Sequence, residues 1–189
     1  MKKNSWFGRL KEEASCYADG KALKLFDLIC LVFLNNGFQL NLFYRMTKRL
    51  HKSLSNKRLL WLVPRIMLYL ERLITGSVID PGAKIGCRFK IIYGMNIVIG
   101  EFVEIGNDVI IFNGVSLGSV TPGLPEIKQP KLGSNIMIGT GAKILGDITI
   151  GDNVKIGANA VVLNSFESNV SIAGVPAKVI RSRISRKEL

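Results

Sequence analysis

Thirteen aliphatic residues recur in one register across the second part of the chain, and that recurrence limits the fold more than any other feature. Ile79, Ile85 and Ile91 stand six residues apart. Ile99, Ile105, Ile111 and Leu117 continue the spacing after a two-residue insertion. Leu132, Ile138, Ile144, Ile150, Ile156 and Val162 resume it after a longer interruption. Glycine follows the column residue at 86, 100, 106, 118, 133, 139, 151 and 157. A second apolar slot, four residues on, reads Ala83, Phe89, Met95, Val103, Val109, Val115, Ile136, Ala142, Ile148, Val154, Ala160 and Phe166. Neither a helix of period about 3.6 nor a strand of period about 2 produces this pattern. A coil of three short flat strands per turn does. One aliphatic side chain points inward from each strand, and the small residue beside it allows the corner.

The first part of the chain has a different grammar. Leu40, Phe43, Tyr44, Thr47 and Leu50 fall on one stripe at spacings of three and four, with Arg45, Lys48, Arg49 and Lys52 elsewhere on the turn. A second stripe runs Leu59, Leu62, Ile66, Tyr69, Leu70 and Leu73, with Pro64 marking a kink or a break near its start. Asn35-Asn36-Gly37 and the stretch 53–56 read as turns. The apolar stripes are expected to pack on each other or on a partner. The organisation is therefore an α-helical region over 1–75, a repeat domain over 76–180 interrupted by a loop at 119–131, and a basic tail over 181–189.

Charge follows the same division. The chain carries 26 Lys and Arg against 14 Asp and Glu, a net charge of +12. Residues 1–75 hold 14 basic and 5 acidic residues, which leaves +3 of that total for the repeat domain and tail. No nucleic-acid reading motif accompanies the charge, so nucleic acid is not an expected partner. Three cysteines with no CxxC spacing offer neither a disulfide framework nor a zinc finger. A single histidine, His51, excludes polyhistidine metal sites and any mechanism needing two imidazoles of one chain. No metal is expected. The most apolar run, Leu25 to Leu34, is ten residues long and contains Asp27, against roughly 20 for a membrane span. A cytoplasmic location is expected, with peripheral contact at the inner face of the membrane left open.

The repeat resembles the hexapeptide acyltransferases, whose fold is a left-handed parallel β-helix. More narrowly, residues 37–180 resemble the serine acetyltransferases and their relatives in surface-polysaccharide gene clusters. The strings that carry the resemblance are TGSVIDPGAKIG at 75–86, IVIGE at 97–101, GVSLG at 114–118, TGAKILG at 140–146 and AGVPAKVI at 173–180. The resemblance implies acetyl transfer from acetyl-CoA, as co-substrate, to a hydroxyl, in a groove between the subunits of a homotrimer. An alcohol is a weak nucleophile at neutral pH, so a base must take its proton as it attacks the thioester.

The family places one histidine in an Asp-His string before the IVIGE-like strand and another in an Arg-His-Pro string on the interrupting loop. Here those positions read Ile92-Tyr93 and Lys128-Gln129-Pro130. Tyr93, Gln129 and Lys128 are therefore the catalytic candidates by position. A phenol, ionising near pH 10 in water, donates a hydrogen bond more readily than it accepts a proton at pH 7. Glu126, or His51 from a neighbouring subunit, is an alternative base.

For acyl-CoA the resemblance points to Gly118, Thr140, Ala142, Ala158, Ala173, Pro176 and Lys178. Small corner residues would line the pantetheine arm, and Lys178, with Arg181 and Arg183, would meet phosphate. The fold itself also asks for small corner residues, and a basic tail also arises as a solvated surface. Cys87 reads as a small buried residue within the coil. The expected acceptor is a sugar of a surface polysaccharide or its lipid-linked precursor, since the loop lacks the family's Gly-Gly-Thr-Gly. Serine is the alternative. Loss of both histidines also fits an impaired acyl-CoA binder or a purely structural trimer.

Overall fold

A computed structural model of the chain describes residues 6–17, 25–54, 62–120 and 128–182. Among the described residues, four helices, α1 (Trp6–Ser15), α2 (Leu25–Leu34), α3 (Asn36–Leu54) and α4 (Leu62–Thr75), precede fifteen short strands: β1 (Val78–Ile79), β2 (Lys84–Ile85), β3 (Lys90–Ile91), β4 (Val98–Ile99), β5 (Glu104–Ile105), β6 (Ile110–Ile111), β7 (Ser116–Gly118), β8 (Lys131–Leu132), β9 (Met137–Ile138), β10 (Lys143–Leu145), β11 (Thr149–Ile150), β12 (Lys155–Ile156), β13 (Val161–Val162), β14 (Val170–Ala173) and β15 (Lys178–Ser182). The strands stack into three sheets in the orders β1-β4-β7-β10-β13, β11-β8-β5-β2 and β15-β14-β12-β9-β6-β3. Every pairing is parallel except the last, in which β15 turns back on β14. Each turn of the coil thus gives one strand to each of three faces. The aliphatic column becomes ladders, with Ile79, Ile99, Leu117, Ile144 and Val162 in register on the first face. All thirteen column residues are buried, and they form one continuous core with the second slot.

One member of that second slot does not obey the period. Met95 is 50% exposed, and Ile97 is fully buried in its place. The two-residue insertion between Ile91 and Ile99 pushes the slot back, so the inward position is the one two residues before Ile99. Cys87 is part-exposed on a corner rather than buried, and its N–H donates to Asn107 Oδ1 at 2.8 Å.

The helices close the first turn of the coil. A solenoid's end turn has backbone groups with no neighbouring turn to satisfy them, so a terminal cap is needed. Tyr44 on α3 donates its hydroxyl to Ala83 O at 2.7 Å, and Lys48 reaches the same carbonyl. Arg45 donates to Ile85 O and Gly86 O, and Asn41 Nδ2 donates to Phe89 O at 2.7 Å. Glu13 on α1 accepts from Phe89 N, from Asn41 and from Arg45 at 2.8 Å. Tyr17, just beyond α1, accepts from Ile91 N at 2.9 Å. Desolvation pushes the pKa of Tyr44 up to about 12 and that of Tyr17 higher still, so both stay hydroxyl donors.

One helical expectation is corrected. Asn36-Gly37 is not a turn. Asn35 alone breaks the helices, its Oδ1 accepting from Phe38 N at 2.9 Å as an N-cap, and Gly37 lies inside the first turn of α3. The stripe of α4 faces outward: Leu62, Ile66, Tyr69, Leu70 and Leu73 are exposed, whereas Pro64 and Glu71 are buried. Leu59 and Asn56 lie outside the described residues. On α3, Tyr44, Thr47 and Leu40 are buried as the stripe implies, but Phe43 sits at its exposed edge.

Candidate functional site

The coil has three rows of corners, and the candidate residues divide between two of them. Tyr93 lies between β3 and β4, on the row that leads from the third sheet into the first. Thr140, Ala142, Ala158, Ala173 and Pro176 lie on the same row, on successive turns. Gly118, Lys128 and Gln129 lie on the next row, between the first and second sheets, where the loop leaves the coil. The two groups therefore occupy opposite edges of the first sheet within one chain.

Tyr93 is exposed and takes a left-handed backbone, φ 58°, which a side chain larger than glycine adopts only when the surroundings enforce it. The enforcement comes from the helices. Gly94 packs so tightly on the start of α3 that an added Cβ would lie 2.7 Å from Asn36 O. An added Cβ at Gly37 would run into the Ile91 carbonyl. Asn36 Oδ1 also accepts from Gly94 N at 3.3 Å, and the Tyr17 hydroxyl holds the Ile91 amide. Asn36, Gly37 and Tyr17 thus position the corner that carries Tyr93. Sequence reasoning missed them, because it read Asn36-Gly37 as a turn between helices rather than as the start of α3.

Above Tyr93 the corner row is built largely of small residues, with Asn113, Thr140, Asn159 and Val175 as the larger side chains among them. Gly114, Gly139-Thr140-Gly141, Gly157-Ala158 and Ala173-Gly174 follow one another up the wall. The fold explains some of this. A Cβ at Gly139 would lie 2.6 Å from Ala158 N, so that position must be glycine whether or not a ligand lies outside. Thr140 and Ala158 are exposed, and Thr140 Oγ1 stands 3.3 Å from Asn113 Oδ1. Ala142 is different. It is fully buried in the core, and its backbone bonds within the coil, its N–H to Gly139 and its C=O from Ser116, so it presents nothing to a ligand. Lys178 and Pro176 are exposed at the top of the row, with Lys178 in register with Ala173 across the β14–β15 pair. Arg181 is exposed nearby, and Arg183 lies outside the described residues.

On the second row, Gln129 lies over the Gly100–Phe102 turn and its Oε1 accepts from Phe102 N at 3.0 Å. Its Nε2 lies over Gly100, 2.6 Å from where a Cβ there would stand. Lys128 Nζ is 3.2 Å from Asp147 Oδ2, an exposed pair of small energetic weight. Gly118 is the informative glycine here, because no described residue lies within 4 Å of an added Cβ. Packing among the described residues does not require it, so the bare position leaves room for an approaching backbone or ligand. Glu126 lies outside the described residues. His51 is exposed near the end of α3, 14 residues beyond Gly37 and so about 21 Å along the helix from the Tyr93 corner. Among the described residues, no three His, Cys, Asp or Glu side chains gather as a metal site.

Residues 129–164 match the family model described as bacterial transferase hexapeptide (six repeats). A serine acetyltransferase of Helicobacter pylori is 44% identical over 150 residues, covering 79% of this chain and 84% of the relative. A serine acetyltransferase of Staphylococcus epidermidis is 43% identical over 131 residues, covering 69% of this chain and 60% of the relative. Among solved structures, serine acetyltransferase from Brucella abortus in complex with coenzyme A superposes with a TM-score of 0.83 at 28% identity. The match covers 95% of this chain and 69% of that one. The Neisseria gonorrhoeae serine acetyltransferase in complex with serine gives a TM-score of 0.77 at 25% identity, covering 92% and 68%.

Proposed function

The chain belongs to the serine acetyltransferase family of hexapeptide-repeat transferases, and from that premise we propose that it is an acetyl-CoA-dependent O-acetyltransferase. The observation that carries this reading is the corner row running from Tyr93 up to Lys178. It offers a wall of mostly small residues for an extended thioester arm, with a cation at one end and a hydroxyl-bearing side chain at the other. Lys178 and Arg181 meet phosphate, while Thr140, Ala158, Ala173 and Pro176 flank the arm. The coil takes the family's left-handed sense.

The two rows of candidates lie on opposite edges of one sheet, so a complete site takes the Tyr93 row from one copy and the Gly118–Gln129 row from the next. We assign that arrangement to a homotrimer. In the reaction, the acceptor hydroxyl attacks the thioester carbonyl, its proton passes to a base, and CoA departs as the thiol. Tyr93 stands at the attacking oxygen and Gln129 Nε2 donates toward the acceptor. Lys128 offers positive charge where the carbonyl oxygen becomes anionic.

The acceptor we favour is a sugar hydroxyl of a surface polysaccharide or its precursor, supported by Tyr93 and Phe102. Both aromatic rings are exposed at the two corner rows, where a ring-shaped substrate would stack. Serine is the second reading, supported by the named activity of the relatives. Replacement of both family histidines, by Tyr93 and Gln129, supports a third, an acyl-CoA binder of little turnover.

Calorimetry with acetyl-CoA and thiol release with sugar and serine acceptors test all three. Binding in the micromolar to millimolar range is expected, about −8 to −4 kcal/mol. Lys178→Glu weakens it, while Tyr93→Phe lowers turnover by roughly 10²–10⁴ and leaves CoA affinity intact. His51→Ala changes neither. No heat at millimolar CoA overturns the first three readings together and leaves a structural trimer.

A further inference from the structure

The helices carry an apolar surface that neither the coil nor the acyl-transfer reading uses. Seven large apolar residues of α4 are exposed, among them Ile66, Tyr69, Leu70, Leu73 and Ile74. At about 100° per residue they fall within an arc of roughly 140°, opposite the buried Pro64 and Glu71. The helix is therefore amphipathic with its apolar side turned away from its own protein. α2 adds two exposed rings, Phe26 and Phe33, each more than 70% accessible.

Charge says what fits there. Arg65 and Arg72 are exposed along one border of the α4 arc, and Arg49 is exposed on the neighbouring α3. Over residues 25–75 the sequence holds eight Lys and Arg but two acids, Asp27 and the buried Glu71. A second copy of this surface would set arginine against arginine with almost no carboxylate to meet it. Nucleic acid would take the charge but would leave seven apolar side chains in water. A surface of anionic lipid supplies negative headgroups and an apolar layer at once. No single described helix is long and apolar enough to cross a membrane. The α2–α3 pair has the length and composition together, but it is bent by 86° at its break. The contact is thus along a surface.

We propose that the outward face of α4 docks the protein on an anionic lipid surface, its apolar arc at the headgroup boundary and Arg65 and Arg72 at lipid phosphates. This docking stands independently of the acetyl-transfer reading.

Co-sedimentation of the full chain with phosphatidylcholine vesicles, with and without about a third phosphatidylglycerol, tests it. Binding to the anionic vesicles is expected to exceed that to neutral ones by tenfold or more, and to fall at roughly 0.5 M salt. Arg65→Gln with Arg72→Gln should lower anionic binding about thirtyfold, roughly fivefold per charge. Leu70→Gln with Leu73→Gln should abolish it. Both pairs are exposed, and unchanged melting temperatures will show that the variants fold. Equal binding to neutral vesicles, or none to anionic ones, overturns the proposal. So does a smaller oligomer of the Leu70→Gln, Leu73→Gln variant with vesicle binding intact, which assigns the face to a second copy.

Discussion

The coil and the helices treat apolar residues in opposite ways. In the coil, each strand sends its aliphatic residue inward, and the strand backbones bond to the turns above and below. In the helices, Asn41, Tyr44, Arg45 and Glu13 bond to the coil beside the buried Leu40, while much of the apolar surface of α2 and α4 points outward. A repeat supplies its own partner, because the next turn presents the same ladder. A helix has no such built-in partner, and its apolar stripe says that something covers it without saying what.

Substitutions along the chain can break or sharpen that contrast. The largest effect is expected in the middle of the coil. Ile138→Ala leaves a cavity between fixed neighbours and should cost roughly 2–5 kcal/mol in urea unfolding. A cost under about 1 kcal/mol would mean that the coil adjusts like a loose surface, and the contrast would fail.

Next comes the junction. Asn41→Leu removes the donor to Phe89 O and one partner of the buried Glu13, and should cost about 1–3 kcal/mol. No loss would mean that the helices are not held by these polar bonds.

Glu71 sharpens the contrast from the buried side of α4. It is 3% exposed, neither carboxylate oxygen has a hydrogen-bond partner, and desolvation pushes its pKa from 4.5 to about 8. The folded state therefore keeps a proton that the unfolded chain releases above about pH 4.5. This contribution falls as pH rises from about 5 to about 8 and is lost above that. Glu71→Gln should flatten that slope and raise stability at pH 8 by roughly 1–2 kcal/mol, read from melts across pH. An unchanged slope would show that the carboxyl is solvated.

The smallest effect belongs to the outward face. Leu73→Gln should shift stability in detergent-free buffer by no more than about 0.5 kcal/mol, as for other surface changes. A loss of several kcal/mol would place that residue in a packed interface.

The sequence was most legible where it repeated. The period of six located nearly every inward residue of the coil, because thirteen copies of one rule leave little freedom in register. It failed at Met95, where the insertion moved the inward slot to Ile97. The candidate site was legible in part. Family strings located the two corner rows and the substitutions at Tyr93 and Gln129, but not the clamp of Tyr17, Asn36 and Gly37 on the Tyr93 corner. Those residues lie more than 50 positions away in sequence, and no period or motif links them to it. Ala142 was misread for a simpler reason. A small residue on a corner can face in or out, and it faces in.

The sequence by itself determined the coil, because side-chain direction in a flat strand follows from local backbone geometry and the same geometry recurs every six residues. It also determined that the two striped segments, seen as α3 and α4, would be helices. The stripe of α3 meets the coil as the sequence implies, and only the tertiary structure decided that the stripe of α4 would face away. That choice depends on the open backbone groups of the first turn, from Ala83 to Ile91, which demand polar partners. The face of α3 that supplies them is pulled inward, and α4 is left with Glu71 beneath it and its leucines in the open. Long-range backbone satisfaction outweighed local apolar pattern there, and no local reading of the sequence contains that term.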